Sequence, residues 1–197
     1  VKPQSELAKQ AGIACNQRGG IIVDEHLMTN IPHIYAVGDV IEVEHYINHQ
    51  KTMIPLAGPA NKEGRILANH LMGANESYQG SLGSSIIKVF KMAAASTGFN
   101  EKQLQAQGLK RHQDYEVIII QQKSHAGYYP GATPLTMKVI YDLQQKILGA
   151  QVVGYEGVDK RIDVISTAIH YHGKVTDLKD LHIAYAPPFA SAKDAVN

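Results

Sequence analysis

The sequence predicts an α+β protein whose second part is built on a mostly antiparallel sheet. Two observations support this. Past residue 85 the chain alternates short β-branched runs with helical segments, and "TPLTMKVIYDL", "QQK" and "ILGAQVVGY" together indicate a β-hairpin. Separate helices beside such strands are typical of α+β folds. The small, polar stretch 74–85 marks the best point of division, so we predict two domains, 1–80 and 81–197.

The first domain is predicted to contain two helices and two strands. In "SELAKQAGI", Ser5 is a candidate N-cap and Gly12 a helix stop. Strands are expected in "RGGIIVDE" and in the apolar run "PHIYAVGDV", where Gly38 allows backbone or ligand to come close. Residues 41–54 lack periodicity and are expected to form a loop. A helix is predicted over 59–72.

The second domain begins with a predicted strand, "SIIKVFKM", followed by a helix in "STGFNEKQLQAQG" and a strand in "YEVIIIQQ". After the hairpin, "DKRIDVISTAIHYHG" has the period of an amphipathic helix. A short helix in "TDLKDLH", with Thr176 or Asp177 as cap, and an irregular tail complete the prediction. The residues expected to face inward from the amphipathic helix are Ile162, Ile165 and Ile169, with Val164 as a further candidate.

Composition narrows the function classes. The chain has 197 residues and a net charge of +1, so no strong field attracts nucleic acid or an anionic membrane. No apolar run is long enough to span a bilayer, and we predict no membrane association. The single cysteine, Cys15, cannot form an internal disulfide, which favours a cytoplasmic setting. The ten histidines show no ligand spacing, so no metal site is predicted.

Two segments of the first domain have the chemistry of a binding site. Asp39 ends an apolar strand, where a carboxylate can accept hydrogen bonds from a polyol; the alternative is that it caps a local turn. Further on, Gly58 and Pro59 begin a helix with little side chain in front of its free N–H groups, which stabilise negative charge. Tight packing of this helix on a sheet is the alternative.

Together these segments carry a family resemblance. "T-x-x-P-x-I-Y-A-V-G-D" from Thr29 and "IPLAGPANKEGRILANHL" resemble the second flavin-contacting stretch of the pyridine nucleotide-disulfide oxidoreductases. The resemblance implies an acid that binds the ribityl chain of FAD and a helix start beside the isoalloxazine. Residues 81–197 resemble the dimerisation domain of the same family, so the first domain would be the end of an NAD-binding domain and the second half of an FAD-binding domain. The implied FAD-binding residues are Gly38, Asp39, Leu56, Ala57, Gly58 and Ala60.

Two stretches resemble one branch of this family. "SHAGYYPGATPLTMKVIYD" and "LHIAYAPPFASAKDAVN" are similar to coenzyme A-disulfide reductases, coenzyme A-persulfide reductases and NADH oxidases or peroxidases. The resemblance implies a homodimer in which two tyrosines reach the partner's active site and hydrogen-bond near the reduced sulfur. They would be Tyr185 and one of Tyr128 or Tyr129, with Tyr128 preferred. Without the resemblance, "YYPG" is a tight turn and "APP" a polyproline II segment.

The chain departs from the family in what it lacks. It contains no G-x-G-x-x-G loop, and Cys15 precedes Asp39 in a stretch that resembles the end of a nicotinamide-binding domain. We therefore expect the C-terminal portion of an FAD-dependent NAD(P)H oxidoreductase that reduces coenzyme A disulfide or persulfide through a single redox cysteine outside this chain. The isolated chain is expected to be inactive. The alternatives are an NADH oxidase or peroxidase of the same branch, and a catalytically inactive homodimerisation module.

Overall fold

A computed structural model of the chain describes residues 2–197. They form two compact units, an N-terminal unit that ends at Gly83 and a C-terminal unit that begins at Ser84. The sequence places the division at 80/81. Each unit is described by itself below.

The N-terminal unit contains α1 (Glu6–Gln10), β1 (Val43–Glu44), β2 (Lys51–Thr52) and α2 (Ala57–Leu71). Ser5 occupies the N-cap position of α1 without a side-chain hydrogen bond, and Gly12 follows the helix with φ +78°. The helix α2 begins two residues before Pro59 and presents its apolar side to the core. The buried core consists of Ile21, Leu27, Ile41, Val43 and Ile66.

The two strands predicted for this unit are wrong as regular strands. "RGGIIVDE" and "PHIYAVGDV" form only isolated bridges: Ile21 with Cys15 and with Ile41, and Tyr35 with Met28. Left-handed residues interrupt the ladders, since Gly38 has φ +84° and other positive φ angles occur nearby. The predicted loop 41–54 contains the short antiparallel pair β1–β2, whose strands are too short to show a period.

The C-terminal unit is a five-stranded antiparallel sheet with helices, which confirms the predicted α+β class. Its strands follow the order β3-β4-β7-β6-β5, and each pairs antiparallel with its neighbours. The predicted hairpin is present as β6–β7. The strands are β3 (Ser85–Val89), β4 (Met92–Gly98), β5 (Tyr115–Lys123), β6 (Pro134–Asp142) and β7 (Ile147–Gly154).

The strand β4 was missed because "MAAASTG" lacks the branched apolar residues that indicate a strand. The predicted helix "STGFNEKQLQAQG" therefore starts too early, and α3 covers Glu101–Ala106 only. Asn100 lies two residues after β4 and caps α3, because its side chain accepts from the Gln103 amide at 2.9 Å while the Gln103 side chain accepts from the Asn100 amide at 2.9 Å.

The helix α4 (Val158–His170) packs on β4 and β7. Ile162, Ile165 and Ile169 are buried as predicted, whereas Val164 is half-buried. The short helix α5 (Val175–Leu178) follows with Lys174 as its N-cap residue. The predicted cap was wrong in position: Asp177 acts from inside the helix, accepting from the Lys174 amide at 2.7 Å.

No helix within residues 2–197 is long and apolar enough to cross a membrane.

Candidate functional site

The structure brings the two predicted FAD-binding segments together in the N-terminal unit. Gly38 turns the chain beside the first turn of α2, where a Cβ added at Gly38 would lie 3.8 Å from the Cβ of Ala60. The Gly38 amide donates to Oε2 of Glu63 at 2.7 Å, which ties this turn to α2 a second time. Asp39, the next residue, is exposed. A solvent-facing carboxylate thus stands at the end of a firmly held turn.

The first turn of α2 is open on its outer side. Leu56 is the N-cap residue in an extended conformation and provides no side-chain cap. The amides of Leu56 and Ala60 are occupied by the carbonyls of Ile54 (2.9 Å) and Leu56 (3.1 Å). Ala57 and Gly58 are exposed, and a Cβ added at Gly58 would meet nothing within 4 Å. Their amides precede the first intrahelical bond, so they are the groups of this turn that suit an anionic or polar ligand.

Glu63 is a buried carboxyl that the sequence analysis missed. Its side chain is 1% exposed, and burial raises its pKa although the Gly38 amide favours the ionised form. The negative charge of Asp39 acts in the same direction as burial. The sequence signal was its spacing, because Glu63 precedes the buried Ile66 by one helical turn and therefore lies on the inward face of α2.

In the C-terminal unit, the structure pairs two of the three predicted tyrosines. The hydroxyl oxygens of Tyr128 and Tyr185 lie 2.8 Å apart, and both side chains are exposed. Tyr129 is not in this pair; its ring stands edge-on to His125 with centroids 5.8 Å apart. The hydrogen bond with Tyr128 raises the pKa of the Tyr185 phenol, which favours its protonated form.

The pair joins two irregular segments. Tyr128 lies in the loop 124–133 between β5 and β6, and Tyr185 lies in the C-terminal tail, residues 181–197. Gly131 has φ +90° after Pro130, as a tight turn requires. The tight turn and the exposed hydroxyls are therefore both present.

The single cysteine is not one of the residues of the two predicted sites. Cys15 is half-buried with its Sγ 3.6 Å from the Ile13 carbonyl oxygen. Among residues 2–197, no three His, Cys, Asp or Glu side chains are grouped so that they could hold a metal ion.

Comparison with known proteins identifies related sequences for both units. Residues 84–196 match the dimerisation domain of the pyridine nucleotide-disulphide oxidoreductases, and residues 1–64 match the pyridine nucleotide-disulphide oxidoreductase domain. The chain is 37% identical over 197 residues to coenzyme A disulfide reductase of Staphylococcus epidermidis, covering 99% of this chain and 44% of that protein. It thus spans less than half the length of such relatives.

Two solved structures are similar over nearly the whole chain. Reduced Bacillus anthracis CoADR-RHD superposes with a TM-score of 0.94 at 51% identity, covering 100% of this chain and 35% of that one. An NAD-dependent persulfide reductase from A. fulgidus superposes with a TM-score of 0.92 at 39% identity, covering 99% and 36%. Since the dimerisation-domain match alone covers more than half of this chain, the chain belongs to the pyridine nucleotide-disulphide oxidoreductase family.

Proposed function

We propose that this chain is the part of an FAD-dependent NAD(P)H oxidoreductase that holds one side of the flavin and supplies tyrosines to the reduction of coenzyme A disulfide or persulfide. The observation that carries the proposal is the exposed Tyr128–Tyr185 hydroxyl pair, with its oxygens 2.8 Å apart. Relatives named coenzyme A disulfide reductase and persulfide reductase, at 37% and 39% identity, support the substrate class.

The N-terminal unit suits FAD. The exposed carboxylate of Asp39 can accept hydrogen bonds from ribityl hydroxyls, and Gly38 lets the backbone approach closely. The amides of Ala57 and Gly58 can stabilise negative charge on the isoalloxazine. FAD, when bound, supplies the two-electron chemistry that links NAD(P)H to a sulfur acceptor.

The tyrosines act on the leaving sulfur. A redox cysteine outside this chain attacks the disulfide as a thiolate, forming a mixed disulfide while the coenzyme A sulfur leaves with the electron pair of the broken S–S bond. One phenol of the Tyr128–Tyr185 pair accepts a hydrogen bond from the other and donates its own proton toward that sulfur. A donor polarised in this way stabilises the developing thiolate.

We propose further that the enzyme is a cytoplasmic homodimer in which each tyrosine pair serves the partner's active site. The family match to a dimerisation domain and the exposure of both tyrosines support this arrangement. A reducing cytoplasm is the setting in which a cysteine-dependent reductase keeps its thiol. The molar mass in solution tests the dimer. A heterodimer of one inactive tyrosine variant and one inactive cysteine variant tests whether the tyrosines serve the partner's active site. It should regain about half of the activity only if they do.

The substrate is tested on the complete reductase by following NAD(P)H oxidation with coenzyme A disulfide, coenzyme A persulfide, oxygen and peroxide. Tyr128→Phe and Tyr185→Phe should each lower kcat with the coenzyme A substrate about 10- to 100-fold, because a donor to the leaving thiolate is lost. Tyr171→Phe is the matched control, since Tyr171, the C-cap residue of α4, is as exposed as Tyr128. Faster turnover with oxygen or peroxide, or unimpaired tyrosine variants, would contradict the proposal.

Two further experiments test the activity of residues 1–197 alone and the flavin site of the complete reductase. We expect this chain alone to show no turnover, because the cysteine and the nicotinamide site lie outside it. Asp39→Asn in the complete reductase should weaken FAD binding, seen as loss of the visible flavin band on dilution, while the overall fold is kept. Retention of FAD by the variant at parental affinity would remove Asp39 from the site.

A further inference from the structure

Arg161 is a buried cation close to the N-terminus of its helix, where the helix dipole disfavours positive charge. It lies in the first turns of α4 and is 1% exposed. A cation near a helix N-terminus opposes the helix dipole, and a buried guanidinium is costly unless its N–H groups are all satisfied. Nη1 donates to the Gly157 carbonyl at 2.9 Å, which anchors the side chain to the start of α4. Its other contacts leave the helix.

Those contacts join the two tyrosine-bearing segments. Nη2 donates at 2.8 Å to the carbonyl of Ser124, the first residue of the loop 124–133 that carries Tyr128. Nε and Nη2 donate to the two carboxylate oxygens of Asp194 at 3.0 and 2.6 Å. Asp194 belongs to the C-terminal tail that carries Tyr185. One planar guanidinium therefore holds the base of both segments.

Each segment is closed near the point where Arg161 holds it. The Ser124 amide donates to the Thr133 carbonyl at 2.7 Å, which closes the loop. In the tail, Asn197 donates to the Leu181 carbonyl at 3.2 Å, and its Oδ1 accepts from the Asp194 amide at 2.9 Å. Fixing the base of two closed segments fixes the relative position of their tips.

A further hydrogen bond runs directly between the segments. The Ala126 amide donates to the Ala190 carbonyl at 3.0 Å, and both residues are buried. It lies between the Arg161 contacts and the 2.8 Å hydroxyl pair of Tyr128 and Tyr185 in the order of the chain. The loop and the tail are thus joined at three levels: by the buried guanidinium, by the Ala126–Ala190 hydrogen bond and by the exposed phenols.

We propose that Arg161, together with Asp194, is a positioning residue that sets the geometry of the Tyr128–Tyr185 pair for the leaving thiolate. This inference rests on the proposed function of the pair. Lysine cannot replace arginine here, because a single ammonium does not present the planar fork that reaches the Asp194 carboxylate and the Ser124 carbonyl at once.

The test compares half-reactions of the complete reductase. Arg161→Lys should leave flavin reduction by NAD(P)H unchanged and slow flavin reoxidation by coenzyme A disulfide about 10-fold or more, since small misplacement of a reacting group costs up to about 100-fold. Lys138→Met is the matched control: it breaks the Lys138–Glu101 ion pair of the same unit, which touches neither segment. It should leave both half-reactions unchanged.

The second arm asks whether Arg161 acts through the tyrosines. In a Tyr128→Phe/Tyr185→Phe background, Arg161→Lys should change reoxidation by no more than about twofold, because the geometry it sets no longer matters. A full additional 10-fold loss, an equal loss in both half-reactions, or a wild-type rate for Arg161→Lys would overturn the inference while leaving the tyrosine role intact. An unimpaired double tyrosine variant would refute the proposed function first, and the inference with it.

Discussion

Removing the carboxylate of Asp194 should destabilise the C-terminal unit severely. Asp194→Ala removes both guanidinium contacts of Asp194, at 3.0 and 2.6 Å, and its 3.3 Å bond from the Val196 amide. Arg161 keeps two carbonyl partners but remains buried with an unpaired charge. Breaking one partner of such a pair costs about 3–5 kcal/mol. That is a large part of the roughly 5–15 kcal/mol that stabilises a domain.

The assay is urea unfolding followed by circular dichroism. With a slope of about 2 kcal/mol per molar, the midpoint should fall by about 2 M. Lys138→Met breaks a partly exposed pair, with side chains 28% and 23% exposed, and should cost about 1 kcal/mol or less. Arg161→Met/Asp194→Leu should recover most of the loss, since an apolar pair carries no desolvation penalty. A loss below about 1 kcal/mol for Asp194→Ala would mean that the guanidinium reaches water, and would refute the reasoning.

Three further outcomes follow from the buried groups. Burial raises the pKa of Glu63, so the folded state holds its proton more tightly, and this stabilisation is lost as pH rises through the folded pKa. Glu63→Gln should remove this pH dependence of stability, measured by urea midpoints across pH. Glu63→Ala, measured in the same way, should cost about 1–3 kcal/mol because it leaves the Gly38 amide unpaired. Burial lowers the pKa of His45 from 6.5 to about 4, so stability should decline by up to about 3 kcal/mol as pH falls between these values, and His45→Gln should flatten the decline. A Cβ at Gly149 would collide with the backbone of Phe99, so Gly149→Ala should lower the urea midpoint by the equivalent of about 3 kcal/mol; a midpoint within error of the parent would contradict the packing.

The parts of the fold that the sequence predicted are those with a strong period or a clear turn. The β6–β7 hairpin alternates apolar and polar residues, and α4 repeats its isoleucines at helical spacing, so both were correct. β4 was missed because alanine and serine pack well against α4 without the branched side chains that indicate a strand. The strands predicted before Asp39 failed for the opposite reason: their composition suits a strand, but left-handed turns cut the ladder.

Some residues of the candidate site could likewise be predicted from the sequence, and others could not. Tyr128, Tyr185 and Asp39 could be predicted because motifs mark them, and they stay predictions of function although the structure pairs the two tyrosines. Arg161 and Glu63 were missed because charged residues of a helix usually lie on its exposed face. The available signal was position, since both lie on the inward face of an amphipathic helix beside buried isoleucines.

The edge of the sheet has a consequence for handling this chain. β3 lies at one edge and pairs with β4 along only one side, while all five of its residues are exposed, and Phe90 beyond it is 97% exposed. Such an edge is a template for another strand, so we expect concentrated solutions of the chain to aggregate through it. Lys88 on β3 and Lys91 in the turn after it place charge at this edge, where we expect them to oppose that assembly. Solubility tags and low protein concentration therefore serve this chain better than removal of its lysines to aid crystallisation.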